Sequence, residues 1–235
     1  MTAFKTLFAA AIVLPALVAC PASVPGTTPP GQAKAGISGN VIKGTAPFEN
    51  ATVRLISKVG DATTDKEIKA TDKLGNFIFE NVPAGTYRVA FDRATPDERK
   101  NNTTVYHAAN TDTYGFFSTN EFTFDGNATA TKQIDQMNVI WSANLDPAPD
   151  ASVSAPVVFK WNAATGAASY AVRVADANNN TVASSGTLPA SATSFTWNGN
   201  NASGQKVPAG LYLWSVNVNT SAGNGGTNVS KFNLR

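Results

Sequence analysis

Apolar side chains recur at every second position over short windows of this chain. Ala51, Val53 and Leu55 share one side of the first window, Phe77 and Phe79 of the next, and Tyr87, Val89 and Phe91 of a third. A period of two is the spacing of a strand with one face in a core and the other in water. The alternation returns at Val157, Phe159 and Trp161, at Tyr170, Val172 and Val174, at Phe195 and Trp197, at Tyr212, Trp214, Val216 and Val218, and at Phe232 and Leu234. Between the early windows lie Gly44-Thr45-Ala46-Pro47, Lys73-Leu74-Gly75-Asn76 and Pro83-Ala84-Gly85, each with a glycine that can take the positive φ of a tight turn. Connections this short favour antiparallel pairing. The pattern predicts an all-β chain made of two tandem β-sandwich domains, residues 36–143 and 150–235, divided at the proline-spaced stretch 144–149. Later strands of the first half are expected at Thr103 to Ala109, Glu121 to Asp125 and Lys132 to Trp141.

The first 35 residues do not alternate. Lys5 precedes an apolar run of thirteen residues, Leu7 to Ala19, an order that matches a secretory signal peptide over residues 1–19. A bilayer-spanning helix takes roughly twenty residues, so this run is too short to be one. It ends in Leu17-Val18-Ala19-Cys20, which resembles the bacterial lipobox. That resemblance implies export, acylation of Cys20 and removal of the residues before it. Pro21 after the cysteine, in place of Asp, implies the outer membrane. Cys20 is the only cysteine, so an internal disulfide is excluded, and a free thiol after ordinary cleavage is the alternative. Several acyl chains at one residue give stable anchoring where one would be marginal. Pro21 to Ala35, rich in Pro, Gly, Thr and Ala, is too poor in large apolar residues to fold and reads, with Cys20, as a tether over residues 20–35.

Composition narrows the partners. Eighteen basic and sixteen acidic residues leave a formal charge of +2, with none of the cationic excess that neutralising phosphates requires, so no nucleic acid is expected. The expected partners are the membrane, through the lipid, and a protein of the cell envelope, with a glycan as the alternative.

Two stretches carry family resemblances. Gly39-Asn40-Val41, Asn50-Ala51-Thr52-Val53, Thr71-Asp72 with Gly75-Asn76-Phe77, and Val82-Pro83-Ala84-Gly85-Thr86-Tyr87 occur in the order of the carboxypeptidase regulatory-like, or transthyretin-like, domain. Residues 36–93 resemble it strongly and residues 94–143 weakly. The resemblance implies a seven-stranded sandwich of the carbohydrate-binding-like group, acting as a spacer or adhesion module without catalysis. Trp197-Asn198-Gly199, Gly204 and Val207-Pro208-Ala209-Gly210-Leu211-Tyr212 resemble the signature of the Ig-like domain of the flagellar hook-capping protein, with Asn198 where Asp is usual. This implies an immunoglobulin-like or fibronectin type III-like sandwich. Val-Pro-Ala-Gly-x-Tyr thus occurs twice, and turn chemistry explains the repeat without a duplication: Pro sets φ, Gly takes the unusual dihedral, and Tyr opens the next strand.

Candidate chemistry is sparse. The single His107 has no nucleophile elbow or acid partner in sequence, and one histidine with one lipid-bearing cysteine makes no zinc set, so neither an enzyme, a metal nor a cofactor is expected. Asp176, Asn178 and Asn180 have calcium-loop spacing but lack the glycine and the distal glutamate, which favours a hairpin turn. The tryptophans of the second half fall on core faces and read as packing. The aromatic segment is the candidate ligand site: Tyr106, His107, Tyr114, Phe116 and Phe117 could stack on a sugar, or could be core residues flanking a hairpin at Asn110 to Asp112. The leading expectation is a non-catalytic, membrane-anchored envelope lipoprotein that serves protein interaction, structure or adhesion. A carbohydrate-binding lipoprotein is second, and a small envelope hydrolase third.

Overall fold

In the computed structural model, which describes residues 36–94, 113–126, 130–141 and 144–235, the alternating windows are strands. Every helix or strand among the described residues is a strand. In the first half, β1 (Gly36–Lys43) pairs with β2 (Ala46–Pro47), β5 (Asn76–Glu80), β9 (Thr131–Gln133) and β10 (Met137–Asn138). The facing sheet runs β4 (Ala62–Ala70), β3 (Thr52–Val59), β6 (Gly85–Asp92) and β7 (Phe116–Thr119), with β8 (Phe122–Phe124) also on β6. Ile37, Val41, Val53, Leu55, Phe77, Phe79, Val89 and Phe91 are buried between these sheets, the last six being apolar positions of the period-two windows. The expected strand at 103–109 and hairpin at 110–112 lie outside the described residues.

The second half packs β11 (Ala151–Val153), β13 (Ala167–Asp176), β14 (Thr181–Ser184), β15 (Leu188–Pro189), β17 (Gly210–Thr220), β18 (Gly223–Gly226) and β19 (Ser230–Leu234) as one sheet. Its core residues meet those of the pair β12 (Val157–Lys160) and β16 (Ser194–Trp197). Phe159 touches Trp214 with ring centroids 4.6 Å apart and Phe232 at 5.7 Å, and Trp161 lies 5.6 Å from Tyr170. All four tryptophans are buried, so the second-half tryptophans are packing residues, as expected.

Pairing departs from the antiparallel expectation at both openings. β1 runs parallel to β9 and β10, and β11 runs parallel to β19. Short turns dictate antiparallel order only between strands adjacent in sequence, whereas the first strand of each half meets one of its last.

The turns use two local devices. At Asp72, Asp176 and Asn201 the side-chain oxygen accepts the backbone N–H groups two and four residues on, at 2.8 to 3.0 Å, while Gly75, Asn179 and Gly204 hold the left-handed position at φ 75°, 67° and 79°. Asp176 therefore spends its carboxylate on Asn178 and Asn180, the hairpin alternative to a calcium loop. The Asn180 side-chain amide and then backbone N–H groups hold its carboxyl below the ordinary 3.8. A carboxyl depressed on folding stabilises the fold above its unfolded value and loses that contribution as pH falls through its folded value. Melting curves should therefore find Asp176→Asn less stable than wild type at neutral pH, with the gap closing below about pH 4, the ordinary carboxylate range. A gap independent of pH would refute the charged contribution.

The second device is the repeated hexapeptide. The Tyr87 hydroxyl donates to the Pro83 carbonyl at 2.9 Å, and Tyr212 does the same to Pro208 at 2.8 Å. Gly85 differs from the expectation, because it is not among the residues of positive φ; Asn81 is, at 55°. What Gly85 supplies is room, since a Cβ there would lie 3.1 Å from the Tyr87 ring.

Among the described residues, one core hydroxyl is out of place. Ser230, on β19 beside Trp214, is buried with no hydrogen-bond partner for Oγ. An orphaned buried hydroxyl carries a desolvation cost of about 1–3 kcal/mol. Ser230→Ala should melt at or above the wild-type temperature, and a clear drop would show that the hydroxyl is satisfied.

The two sandwiches are not beads on a linker. β7 of the first pairs antiparallel with β18 of the second, Thr119 with Gly223 through Phe116 with Gly226, so one twelve-stranded sheet runs through both. Trp141 is 2% exposed, with ring centroids 5.2 Å from Tyr114 and 6.5 Å from Tyr170, and its indole N–H donates to the Asn162 carbonyl. In the stretch expected as a linker, Leu145 is buried and Asp146 exchanges backbone hydrogen bonds with Lys160 at 2.7 and 3.1 Å.

Candidate functional site: the open face over the seam

Side chains at paired positions of a sheet share a face, so the register assigns each residue of the joint to core or water. The row Val53, Phe91, Phe117, Gly225, Val218 and Tyr170 crosses from one sandwich to the other and is buried throughout. Two neighbouring rows lie on the opposite face. One reads Arg54, Ala90, Ser118, Asn224, Asn219, Ser169; the other reads Thr52, Asp92, Phe116, Gly226, Asn217, Ala171.

This register sorts the aromatic segment. Phe117 and Tyr114 are buried, with ring centroids 5.3 Å apart, and both lie close to Gly225; their ring faces are committed to packing and are not open to a sugar. Burial, followed by the nearby Tyr170 hydroxyl, pushes the Tyr114 hydroxyl up to about 12. Phe116, one residue before Phe117, points to the other face and is 37% exposed. Cys20, Tyr106 and His107 lie outside the described residues.

On this face Phe116 has Asp92, which is buried, as its neighbour on β6 and Gly226 as its neighbour on β18. Gly226, directly opposite, has no side chain, and the position its Cβ would take lies 2.8 Å from the Phe116 ring edge and 2.9 Å from the Asn217 Oδ1. Thr52, Ala90, Asp92, Ser118 and Gly226, on the same face, are all buried. Asn217, Asn219 and Asn224 are exposed. Asn219 donates to the Ser169 hydroxyl at 3.0 Å, while the side-chain amides of Asn217 and Asn224 make no hydrogen bond among the described residues. The nearest charges are matched: Arg54 holds both oxygens of Asp65 at 3.0 Å and lies 3.7 Å from Asp92. Such a surface offers an apolar ring with donors and acceptors beside it. Among the described residues no group of three His, Cys, Asp or Glu is placed to hold a metal ion.

The three asparagines were missed in the sequence because they lie about a hundred residues from Phe116. The available signal was Asn217 and Asn219 alternating with apolar residues in a strand otherwise destined for the core.

Residues 149–222 match the FlgD Ig-like domain family, which covers most of the second sandwich and agrees with its strands. No curated protein sequence matches the chain. Among solved structures, (S)-allantoin synthase shares 12% identity over 47% of this chain and 43% of its own, with a TM-score of 0.31. A DUF3823 family protein from Bacteroides uniformis shares 13% over 86% of this chain and all of its own, with a TM-score of 0.30. BcpA, the major pilin subunit of Bacillus cereus, shares 12% over 86% of this chain and 69% of its own, with a TM-score of 0.32. The chain therefore spans less than half of the allantoin synthase, and superpositions this loose are similarities without further weight.

Proposed function

We propose that this protein is a non-catalytic binding module of a bacterial envelope, held to the membrane by a lipid on Cys20 and presenting the exposed part of its continuous sheet around Asn217, Asn219 and Asn224 to a partner. The observation that carries the reading is the β7–β18 pairing. A body whose two sandwiches share main-chain hydrogen bonds resists hinging, and it holds one broad face in a constant orientation, as a spacer or docking module requires. The Ig-like match of residues 149–222 supports a module of this class. The tether at 20–35 fits the same role, giving a stiff body reach from the membrane surface.

The test is intact mass spectrometry of protein extracted from membranes, paired with fractionation of Cys20→Ala and with in-cell photocrosslinking from Asn219. Loss of residues 1–19 with added acyl chains, release of the variant from the membrane, and a discrete crosslinked envelope partner are the expected results. An unacylated, freely soluble wild type would overturn the anchoring. Turnover of ester, peptide or glycoside substrates by the purified protein would overturn the non-catalytic reading.

A further inference from the structure

We infer that Asn198 is a site of spontaneous deamidation, a modification that the fold directs to one of the chain's two Asn-Gly steps. Those steps are Asn198-Gly199 and Asn224-Gly225, and both asparagines are exposed. In this reaction the glycine nitrogen attacks the asparagine side-chain carbon Cγ, and the new C–N bond closes a succinimide ring. The nitrogen gives up its proton, the departing amide takes one up, and ammonia leaves. Water then opens the ring at either carbonyl, giving aspartate or the isoaspartate whose main chain runs through Cβ. The nitrogen must be free and the side chain folded over it, so backbone geometry rather than exposure separates the two steps.

At Asn198 the geometry favours attack. The Asn198 Oδ1 accepts the Asn200 backbone N–H at 3.1 Å, which folds the carboxamide back over the intervening Gly199 peptide. That donor also polarises the carbonyl on which negative charge develops during attack. The Gly199 N–H makes no hydrogen bond among the described residues, while its C=O accepts from Val207 at 2.9 Å. Gly199 sits at φ 82°, where a side chain would be strained, so no Cβ shields the nitrogen. At Asn224 the geometry opposes attack. Gly225 is paired on both sides, to Val218 and to Phe117, and a strand held between two ladders keeps its peptide extended and its side chains off the main chain. Reaction there would need the seam to open. The two products at Asn198 also differ. Aspartate keeps the acceptor for Asn200 and adds one negative charge to a chain of formal charge +2. Isoaspartate lengthens the main chain within the turn that carries the Trp197 indole bond to the Asn200 carbonyl, at 2.7 Å, and the bridge between Asn200 and Lys206.

The experiment holds the folded full chain in detergent at mildly alkaline pH in heavy-oxygen water, digests it in ordinary acidic water, and maps both asparagine peptides by mass spectrometry. Label taken up during the incubation marks reaction in the folded state. Asn198 should acquire it, as aspartate and isoaspartate, at least about tenfold faster than Asn224, a barrier difference of roughly 1.4 kcal/mol. In denaturant the two rates should converge, since each asparagine is then followed by an unrestrained glycine. Asn198→Gln, whose longer side chain closes the ring poorly, should take up no label at that position. The isoaspartate form, separated by charge and chromatography, should melt below the untreated protein, and Asn198→Asp should melt close to it. No labelling of Asn198 in the folded chain, equal rates at the two sites in the folded chain, or faster labelling of Asn224 would overturn the assignment.

Discussion

Gly225→Val is expected to destabilise the protein by about 3 kcal/mol, the upper end of the cost of overpacking a filled core. A Cβ at residue 225 would stand 2.7 Å from a Tyr114 ring carbon, 2.8 Å from the Phe116 carbonyl oxygen and 3.0 Å from the Phe117 ring. The two rings could tilt, but the carbonyl belongs to the neighbouring strand and moves only if the ladder opens. At Gly223 the same carbon would lie 2.0 Å from the Ser118 carbonyl oxygen, so the close approach of β18 to β7 is a property of the whole strand. The variant should also change the shape of unfolding: with the seam opened, urea denaturation should split into two transitions, one for each sandwich. Asn224→Val, on the same strand but facing water, should stay within about 0.5 kcal/mol of wild type. A Gly225→Val protein with a single, unshifted transition would show that the seam contributes nothing to cooperativity.

Trp141→Ala is expected to cost about 3–5 kcal/mol, the range for removing a large buried aromatic. The indole fills the space between Tyr114 of the first sandwich and Tyr170 of the second, and its N–H is bonded to the Asn162 carbonyl at 3.1 Å. Alanine would leave a cavity on the boundary and remove the donor to that carbonyl. Trp141→Phe keeps part of the ring contact and should lose less. Chemical denaturation measures both, and a loss below about 1 kcal/mol for alanine would mean that the surroundings collapse onto the gap.

The chain discloses a good deal before it folds. Phe77 and Phe79, or Tyr212, Trp214 and Val216, identify strands and their inner faces, because a period of two is a property of consecutive residues. The hexapeptide turns are legible for the same reason: Tyr87 reaches Pro83, and Tyr212 reaches Pro208, within four residues. Asp176 could be read as a hairpin rather than a metal loop, since all the groups it bonds lie within four positions.

The aromatic segment marks where this legibility stops. Tyr114, Phe116 and Phe117 look equivalent in a list of residues, yet one faces water and two are core, and only the pairing of Phe117 with Gly225 and Phe91 decides which. The partner strand, Gly223-Asn224-Gly225-Gly226, has the composition of a turn and no apolar side chain to announce a strand. Its fitness for pairing lies in the lack of Cβ atoms, and no periodicity records an absence.

The sequence by itself therefore determined the all-β class, the strand faces and the turn chemistry, because alternation and short-range hydrogen bonds are settled among neighbours. Only the tertiary structure decided that β1 and β11 close their sheets in parallel, that two sandwiches share one sheet, and that Phe116 stands beside Asn217 and Asn224. Those outcomes depend on main-chain groups of distant segments meeting in register, and backbone N–H and C=O groups are the same at every residue type but proline.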